Sequence, residues 1–373
     1  MWLKQLSLLN FKNYSEASLA FASGVNAFTG PNGAGKTNLL DAIHYLSLCK
    51  SYFNPIDSQQ IKRGQDWFMV QGTFDKDGIE DAVSCSVKRN QKKQFRKNKK
   101  EYTRLADHIG QFPIVMISPS DSAIVSDGSE ERRRFVDNVL SQTEPSYLEE
   151  LIAYNRVLAQ RNSLLKQVSP RDHLDASLLE VLDMQLVKSG LLVFERRQAF
   201  LEKFIPYFDR HYRFLTDGAE TVSLQYESPL LHDSFERLLE SSLPKDRFLQ
   251  RTTMGIHKDD LVFAIHGDMQ LKKFGSQGQQ KSFLIALKLA QYSYLVAQKQ
   301  FKPLLLLDDI FDKLDDHRIR KLMQMVSDGD FGQIFITDTD AGRISRIFEQ
   351  IGKEIRICGV NAGTATNTMQ HDG

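Results

Sequence analysis

The sequence predicts an α/β protein whose sheet-forming parts are interrupted by a long helical segment. Three observations support this fold class. A glycine-rich loop at residues 30–37 lies between a short strand pattern and a helical pattern. The run Leu304–Leu307 is continuously apolar, as expected for a strand covered on both faces in a parallel sheet. Between these features, residues 130–248 show helical periodicity and few strand signals.

The glycine-rich loop fits the pattern G-x-x-x-x-G-K-[ST]. Its glycines let the backbone N–H groups face phosphate oxygens, its lysine reaches the β- and γ-phosphates, and its hydroxyl can ligate Mg²⁺. The alternative is an ordinary glycine turn before a helix. It is disfavoured because residues 24–28 have a strand pattern and apolar residues recur at helical spacing from Leu39 to Leu46. We expect ATP and Mg²⁺ to be bound here by Gly30, Pro31, Asn32, Gly33, Ala34, Gly35, Lys36, Thr37 and Asn38.

Length and composition set further bounds. The 373 residues carry 48 basic and 47 acidic side chains, a net charge of +1, so affinity for nucleic acid must come from local patches. The three cysteines lack metal-ligand spacing. The chain opens on an alternating segment without a signal peptide, and no apolar run approaches about 18 residues. We expect a cytoplasmic protein with no membrane partner.

The pattern of elements predicts a head formed by residues 1–127 and 250–373, with an inserted arm at 128–249 that contacts DNA or a partner. Strands are predicted within 2–28, an antiparallel meander within 67–95, and a buried strand at 112–117. The arm is predicted to pack on itself as a helical subdomain. The polar tail from Asn361 is predicted to lack regular structure.

Two apolar stripes predict the helices of the arm. The first is heptad-like and is closed by Pro206; its members are Leu179, Leu182, Leu186, Val193, Phe200 and Phe204. The second precedes Pro170 and consists of Leu148, Leu151, Ile152, Leu158 and Leu165. Folded as two antiparallel helices, about 120 residues reach at most about 90 Å.

Two acids follow the leucine run, at the strand end where α/β sheets place ligands. Asp308 is expected to hold Mg²⁺ through water, together with Thr37, and Asp309 to orient or deprotonate the attacking water as the catalytic residue. A buried strand that ends in two acids is common. The phosphate loop earlier in the chain favours the functional interpretation over that alternative.

A third motif precedes an amphipathic helix at residues 274–280. A serine and free N–H groups at a helix start can bind a γ-phosphate, although a simple helix cap explains the motif equally well when it is taken alone. Contacts to ATP are expected from Ser276, Gln277, Gly278 and Gln279. With the phosphate loop and the acid pair, these residues complete the set typical of ABC-type ATPases, and Asp312–Asp315 matches its D-loop.

The chain resembles the RecF family of bacterial DNA replication and repair proteins over essentially its full length. The motifs that carry the resemblance are Asn10–Tyr14, Gly30–Leu40, Ser118–Asp121, Arg132–Asp137, Gly255–Leu261, the Ser276 loop and Leu306–Asp309. The family pattern usually has Pro at 256 and Arg at 258, where Ile and Lys stand here. Asp309 stands where most ABC ATPases have Glu, which is consistent with the slow turnover that the family implies.

This resemblance implies ATP-dependent homodimerisation, with the Ser276 loop of one subunit closing on ATP held by the other. It implies binding to double-stranded DNA and to single-strand/double-strand junctions, with RecR and RecO as partners in loading recombinase onto gapped DNA. A slow, DNA-stimulated ATPase would then act as a conformational switch. The alternatives are an ATPase subunit of a transporter, disfavoured by the arm and the basic segment, or of a nuclease, disfavoured because no further acidic cluster is present.

Contacts to DNA are the least specific prediction. Nine of the seventeen residues at 88–104 are basic, against one acid, Glu101. A solvated hairpin explains this charge run without any ligand, and a polar helix face explains the arginines at 132–134. The residues expected to contact DNA are Lys92, Lys93, Arg96, Lys97, Lys100, Arg132 and Arg133.

Overall fold

The computed structural model describes residues 1–167, 175–311 and 315–370. The chain divides into two compact units, one formed by Met1–Asp121 with Lys281–Gly373 and the other by Ser122–Gln280. The second unit extends beyond the predicted insertion, 128–249, at both ends. It includes residues 260–265 because these form a strand that pairs with residues 222–227.

The first unit begins with these elements: β1 (Trp2–Phe11), β2 (Tyr14–Ala20), β3 (Val25–Thr29), α1 (Lys36–Leu48), β4 (Trp67–Lys76), β5 (Ile79–Lys88), β6 (Gln94–Lys97), β7 (Lys100–Glu101) and β8 (Ile114–Ile117). The second unit contains α2 (Ala123–Ser126), α3 (Ser129–Thr143), α4 (Pro145–Gln167), α5 (Ala176–Thr216), β9 (Val222–Glu227), α6 (Phe235–Leu249), β10 (Asp260–Ile265), β11 (Met269–Gln270) and α7 (Leu271–Phe274). The chain returns to the first unit within α8 (Gln277–Lys299), followed by β12 (Leu304–Leu307), α9 (Asp316–Ser327), β13 (Ile334–Asp338), α10 (Ala341–Gln350), β14 (Ile355–Asn361) and β15 (Thr364–Gln370).

An antiparallel sheet in the first unit has the order β2-β1-β4-β5-β6-β7. The predicted meander is confirmed, since β4 pairs with β5 from Trp67↔Lys88 to Lys76↔Ile79. Along β4, Phe68, Val70 and Phe74 are fully buried, whereas intervening side chains are more exposed. This alternation follows from the period of two along a strand that has one face on the core.

The second sheet of this unit has the order β15-β14-β3-β13-β12-β8 and is mixed. Its strands from β14 to β8 pair in parallel, and only β15 joins antiparallel. All four residues of Leu304–Leu307 are fully buried, which confirms the prediction of a strand covered on both faces. The parallel arrangement places the ends of β3 and β12 at the same edge of the sheet.

The carboxyl-terminal residues form a β-hairpin that the sequence pattern did not predict. The prediction that the tail from Asn361 lacks regular structure was wrong, because β14 and β15 form a hairpin around Ala362 and Gly363. Cys358 and Val360 on β14 are buried and lie just before the polar tail. The composition of the tail alone therefore does not reveal this apolar face. Residues 371–373 lie outside the described residues.

The second unit is mainly helical, as predicted, but it also contains the sheet β11-β10-β9. The sequence pattern did not predict β9, because only one of its six residues is buried, three are half-buried and two are exposed. Strand β9 pairs antiparallel with β10 along its whole length. This pairing fixes the loop at 255–259, which immediately precedes β10.

The prediction that Pro206 ends the long helix was wrong. Helix α5 continues ten residues further, to Thr216. The apolar stripe also continues, since Phe208, Tyr212 and Leu215 are almost completely buried. The free energy gained by burying these side chains offsets the cost of a proline in a helix interior, where it removes a hydrogen bond at a cost of about 3 kcal/mol.

The stripe predicted on α4 was wrong in part. Leu165 is buried, but Ile152 is 51% exposed. The buried face instead contains Tyr147, Tyr154 and Val157, and it packs on α5. Tyrosines and a buried arginine share this face, so a pattern based on apolar residues alone predicted the wrong face of the helix. The predicted boundary at Pro170 lies outside the described residues.

Candidate nucleotide-binding site

The phosphate loop connects β3 to α1 and is built on unusual backbone angles. Gly30 has φ 151° and Gly35 has φ 117°, values that favour glycine. A Cβ at Gly30 would lie 2.1 Å from the carbonyl oxygen of Val360, and one at Gly35 would lie 2.4 Å from Nδ2 of Asn13. Both glycines are therefore required by backbone angle and by close approach.

Lys36 is the first residue of α1, and its side chain folds back over the loop. Its Nζ donates to the carbonyl oxygens of Gly30 at 2.8 Å and Pro31 at 3.0 Å. The residue is only 5% exposed. Because the N–H groups in the first turn of a helix have no partner within that helix, positive charge and free donors converge at this point. Such an arrangement suits a bound phosphate.

A set of side chains from β1–β2 braces the loop, and the sequence analysis did not assign it a role. Asn13 Nδ2 donates to the carbonyl of Ala34 at 2.9 Å, and Tyr14 OH donates to the carbonyl of Gly35 at 3.0 Å. Asn38 Nδ2 donates to Asn13 Oδ1 at 2.8 Å. Burial raises the pKa of Tyr14, so its hydroxyl keeps the proton that it donates. The only signal was the place of Asn13 and Tyr14 in the motif that carries the resemblance.

The carboxyl-terminal hairpin also supports the loop. The N–H of Gly363, at the β14–β15 turn, donates to the carbonyl of Ala34 at 3.0 Å. From the neighbouring strand β13, the carbonyl of Asp338 accepts from the N–H of Gly30 at 3.3 Å. The loop is thus held from both sides before any ligand is bound, which reduces the ordering cost of binding.

Asp308 and Thr37 meet although 271 positions separate them in the chain. Thr37 Oγ1 donates to Asp308 Oδ1 at 2.9 Å, and Thr337 Oγ1 donates to the same oxygen at 2.9 Å. Burial raises the pKa of Asp308, while the two hydroxyl hydrogen bonds act in the opposite direction. A hydroxyl oxygen and a carboxylate oxygen at this separation are the donor types that Mg²⁺ prefers.

Asp309 directly follows Asp308, and its backbone adopts the left-handed conformation with φ 46°. Its N–H donates to Thr337 Oγ1 at 2.8 Å. Thr337 therefore connects the two acids, accepting from the backbone of one and donating to the carboxylate of the other. The sequence analysis missed Thr337, which has no motif of its own and is marked only by following a short apolar strand pattern.

The Ser276 loop lies in the second unit and forms a reciprocal cap at the start of α8. Ser276 Oγ accepts from the N–H of Gln279 at 3.2 Å, and Gln279 Oε1 accepts from the N–H of Ser276 at 2.7 Å. This is a capping box. Ser276 and Gln277 are nevertheless exposed, so the capped helix end is open to a second molecule. Of the predicted D-loop, 312–314 lie outside the described residues, and Asp315 caps α9 by accepting from the N–H of Arg318.

The structure divides eight of the nine basic residues at 88–104 into two groups. The ninth, Arg104, is exposed and forms an ion pair with Asp107 at 2.7 Å. Lys93 and Lys97 are half-buried and form ion pairs at 2.8 Å with Asp57 and Asp81 respectively. The other group is exposed on the β5–β6–β7 hairpins; its members are Lys88, Arg89, Lys92, Arg96, Lys99 and Lys100. Arg96 also lies 3.5 Å from Glu101, an exposed contact that salt screens.

Two of the three arginines predicted to contact DNA, Arg132 and Arg133, are engaged inside the second unit. Arg132 binds the carboxylate of Asp260 through Nε at 2.7 Å and Nη2 at 3.0 Å. Arg133 Nη1 donates to the carbonyl of Asp259 at 2.7 Å. Arg197, which the sequence analysis missed, reaches the carboxylate of Asp259 at 2.6 Å. These guanidinium groups hold the 255–260 loop. We therefore do not assign Arg132 and Arg133 to the proposed DNA-binding surface.

The described residues give two further observations. Within 1–167, 175–311 and 315–370, no group of three or more His, Cys, Asp or Glu side chains is placed to hold a metal ion. No helix in those ranges is long and apolar enough to span a membrane. Cys49, Cys85 and Cys358 are buried free thiols.

The phosphate loop follows β3, and the acid pair follows β12, which is parallel to β3 and separated from it by β13. Together with the mixed sheet and the antiparallel sheet of the same unit, these two features define an ABC-type ATPase head of the P-loop class. Comparison with known proteins narrows this class. The chain belongs to the RecF/RecN/SMC N-terminal domain family, whose profile matches residues 2–361, and within it to the RecF family. The DNA replication and repair protein RecF of Bacteroides thetaiotaomicron is 47% identical over 364 residues, covering 97% of this chain and 98% of the relative. That of Flavobacterium johnsoniae is 47% identical over 357 residues, covering 96% and 99%.

Solved structures give the same result. The chain is similar to the recombination mediator protein RecF with ATP in the RecFOR pathway, with a TM-score of 0.90 and 27% identity. That match covers 99% of this chain and 98% of the other. An SMC head bound to the C-terminal winged-helix domain of ScpA matches with a TM-score of 0.59 at 15% identity, which shows the shared fold alone.

Proposed function

We propose that this chain is an ATP-dependent DNA-binding protein of recombinational repair and replication restart. It dimerises on ATP at single-strand/double-strand junctions and helps load recombinase onto gapped DNA, with RecR and RecO as partners. The observation that carries the proposal is the meeting of Thr37 and Asp308 beside a braced phosphate loop, in a member of the RecF family. Similarity to a RecF in the RecFOR pathway supports the choice of partners.

The residues present fit ATP with Mg²⁺. Lys36 and the N–H groups at the start of α1 would face the phosphates, and Gly30–Asn38 would surround them. Thr37 Oγ1 and Asp308 Oδ1 would hold the cation, Asp308 through water. When bound, the cation neutralises charge on the phosphate oxygens. The Ser276–Gln279 cap would approach the γ-phosphate from a second subunit.

Within this arrangement, Asp309 has a role in hydrolysis and not in binding. Its backbone is fixed by Thr337, and its carboxylate can accept a proton from a water molecule that attacks the γ-phosphate. The shorter reach of Asp compared with Glu makes this proton acceptor less effective. We propose a slow, DNA-stimulated ATPase, in which hydrolysis resets a conformational switch.

Replacing Asp309 by Asn should leave ATP affinity unchanged and slow hydrolysis by about 100-fold, because the amide cannot accept the water proton. The dimer should then persist for as long as ATP is intact. The measurement is phosphate release by the full chain with gapped DNA, with Asp330→Asn, another acid to amide change in the same unit, as control. Wild-type turnover in Asp309→Asn would assign water activation to another residue.

The exposed basic group on the β5–β6–β7 hairpins supplies the proposed phosphate-backbone contact. If all of its members meet duplex phosphates, the logarithm of the affinity should fall with the logarithm of salt concentration at a slope near about −5. Replacing Lys92, Lys99 and Lys100 by Ala should flatten this slope by about 3, since each lost contact removes about 0.9.

The matched control for this triple variant is Lys188, Lys203 and Lys353 replaced by Ala, three exposed lysines outside the basic segment. Its slope should equal that of the wild type. Equal slopes for the two triple variants would return the basic segment to a solvated hairpin without contact to DNA. Thermal unfolding of each variant shows whether the fold is intact.

A further inference from the structure

A cavity of about 300 Å³ lies in the first unit, away from the residues of the phosphate loop. The ends of several elements form it: β4, β5, β6, the loop before β8, and the end of α8. Its chemistry comes from three lysines, one acid and two aromatic rings, namely Lys76, Lys97, Lys299, Asp81, Phe112 and Phe301. Three positive charges less one negative charge give the cavity a net charge of +2.

The single acid, Asp81, neutralises only one of the three lysines. Asp81 Oδ2 lies 2.8 Å from Lys97 Nζ, and Asp81 Oδ1 accepts from Asn98 Nδ2 at 2.8 Å. Both oxygens of this carboxylate are thus engaged. Within the described residues, neither Lys76 nor Lys299 has a carboxylate at ion-pair distance. The Lys76 ammonium instead lies 4.0 Å from the centroid of the Phe301 ring.

Lys299 is half-buried in this position. Burial lowers the pKa of Lys299, and the nearby Lys76 ammonium lowers it further. Lys76 is exposed, and its ammonium lies beside that of the half-buried Lys299. Two neighbouring ammonium groups, one of them partly removed from water, are stabilised by an anion placed between them. Lysines bind phosphate as point charges and do not require the planar geometry of arginine.

The cavity is continuous with the exposed basic group. Lys97, on β6, is the register partner of Lys100 on β7, across the Asn98–Lys99 turn. Residues directly opposite each other in an antiparallel pair place their side chains on the same face of the sheet. The lysines of the cavity therefore continue into the surface to which we assign the DNA backbone, where phosphates are the available anions.

We propose that this cavity is a second phosphate-binding site, which takes a backbone phosphate of the bound DNA strand. Lys76 and Lys299 contact the phosphate. Lys97 lines the cavity and fixes the position of Asp81 through their ion pair. The DNA source rests on the proposed function, whereas the affinity for phosphate does not. Free phosphate compounds share the same chemistry, so the test separates the two sources.

The first arm measures calorimetric binding of inorganic pyrophosphate to the full chain carrying Lys36→Met, which removes the contribution of the phosphate loop. Adding Lys76→Gln and Lys299→Gln should weaken this binding by at least about tenfold, the effect of losing one charge-assisted hydrogen bond. Adding Lys203→Gln and Lys353→Gln instead should change nothing. No pyrophosphate binding in the Lys36→Met protein, or equal binding in both variants, would overturn the site.

The second arm measures binding of gapped DNA in the presence of ATP, with Lys36 intact. Lys76→Gln with Lys299→Gln should reduce the salt slope by about 1, the equivalent of one phosphate contact. Pyrophosphate binding that depends on the cavity, together with an unchanged slope, would assign the site to free phosphate compounds and overturn the DNA source. Failure of the wild-type chain to bind gapped DNA would instead contradict the proposed function, whatever the first arm shows.

Discussion

Replacing Lys36 by Met should reduce ATP affinity by two to three orders of magnitude without unfolding the protein. The ammonium of Lys36 lies over the loop and donates to two of its carbonyls, so it is the principal fixed positive charge available to the phosphates. With ATP bound, this ammonium would donate to phosphate oxygens, and the loss of two such charge-assisted hydrogen bonds costs about 3–4 kcal/mol of binding free energy. The methionine side chain fills similar space, and the bracing by Asn13 and Tyr14 stays in place.

Calorimetric titration with a slowly hydrolysed ATP analogue measures this effect directly. The control is Lys353→Met, the same substitution at an exposed position in the same unit. Thermal unfolding without nucleotide should be similar for the two variants. If Lys36→Met bound ATP as tightly as the wild type, the loop at 30–37 would not be the nucleotide site.

Replacing Ser276 by Arg should abolish ATP-dependent dimerisation and leave ATP binding to the monomer intact. The exposed Ser276 begins α8, and in the proposed dimer its hydroxyl and N–H face the γ-phosphate of the partner's ATP. A guanidinium side chain at this point would occupy the space of that phosphate. Loss of the cap itself costs only about 1 kcal/mol, so the variant should still fold.

Two further variants separate blocking from loss of the cap. Ser276→Ala removes the cap but adds no bulk, and it should weaken the dimer without abolishing it. Ser241→Arg introduces the same side chain at an exposed position of α6 and should dimerise normally. Normal dimerisation of Ser276→Arg with ATP would show that the Ser276 loop is only a helix cap.

Local motifs allowed much of the fold to be predicted. The phosphate loop, with a strand before it and a helix after it, is encoded locally within residues 25–48, and Leu304–Leu307 marks a buried strand by composition alone. The failures have nonlocal causes. Pro206 lies inside α5 because the residues beyond it are buried by tertiary packing, which outweighs local helix propensity. The tail forms β15 because β14 offers a partner edge.

The candidate site shows the same division. The residues of the loop and the acid pair were predicted from their motifs, but Thr337 joins the acids from another strand and has no signature of its own. For the basic residues, counting charge gave a group that the structure separates. Whether a lysine is free to contact DNA depends on a distant acid such as Asp57. In the same way, whether an arginine such as Arg132 is free to do so depends on Asp260. These pairings are set by tertiary packing between elements that are distant in the chain, and they cannot be seen in a charge run.

The central claim is that ATP, dimer and DNA binding are one linked equilibrium. Analytical ultracentrifugation of the full chain, with ATP or ADP and with or without gapped DNA, tests it most directly. A ligand that binds only the dimer shifts the population by about 2.7 kcal/mol at a hundredfold excess over its dissociation constant. We predict a dimer with ATP, a further shift toward the dimer on adding gapped DNA, and no dimer with ADP. Equal sedimentation with ATP and ADP, in the presence of gapped DNA, would contradict the account.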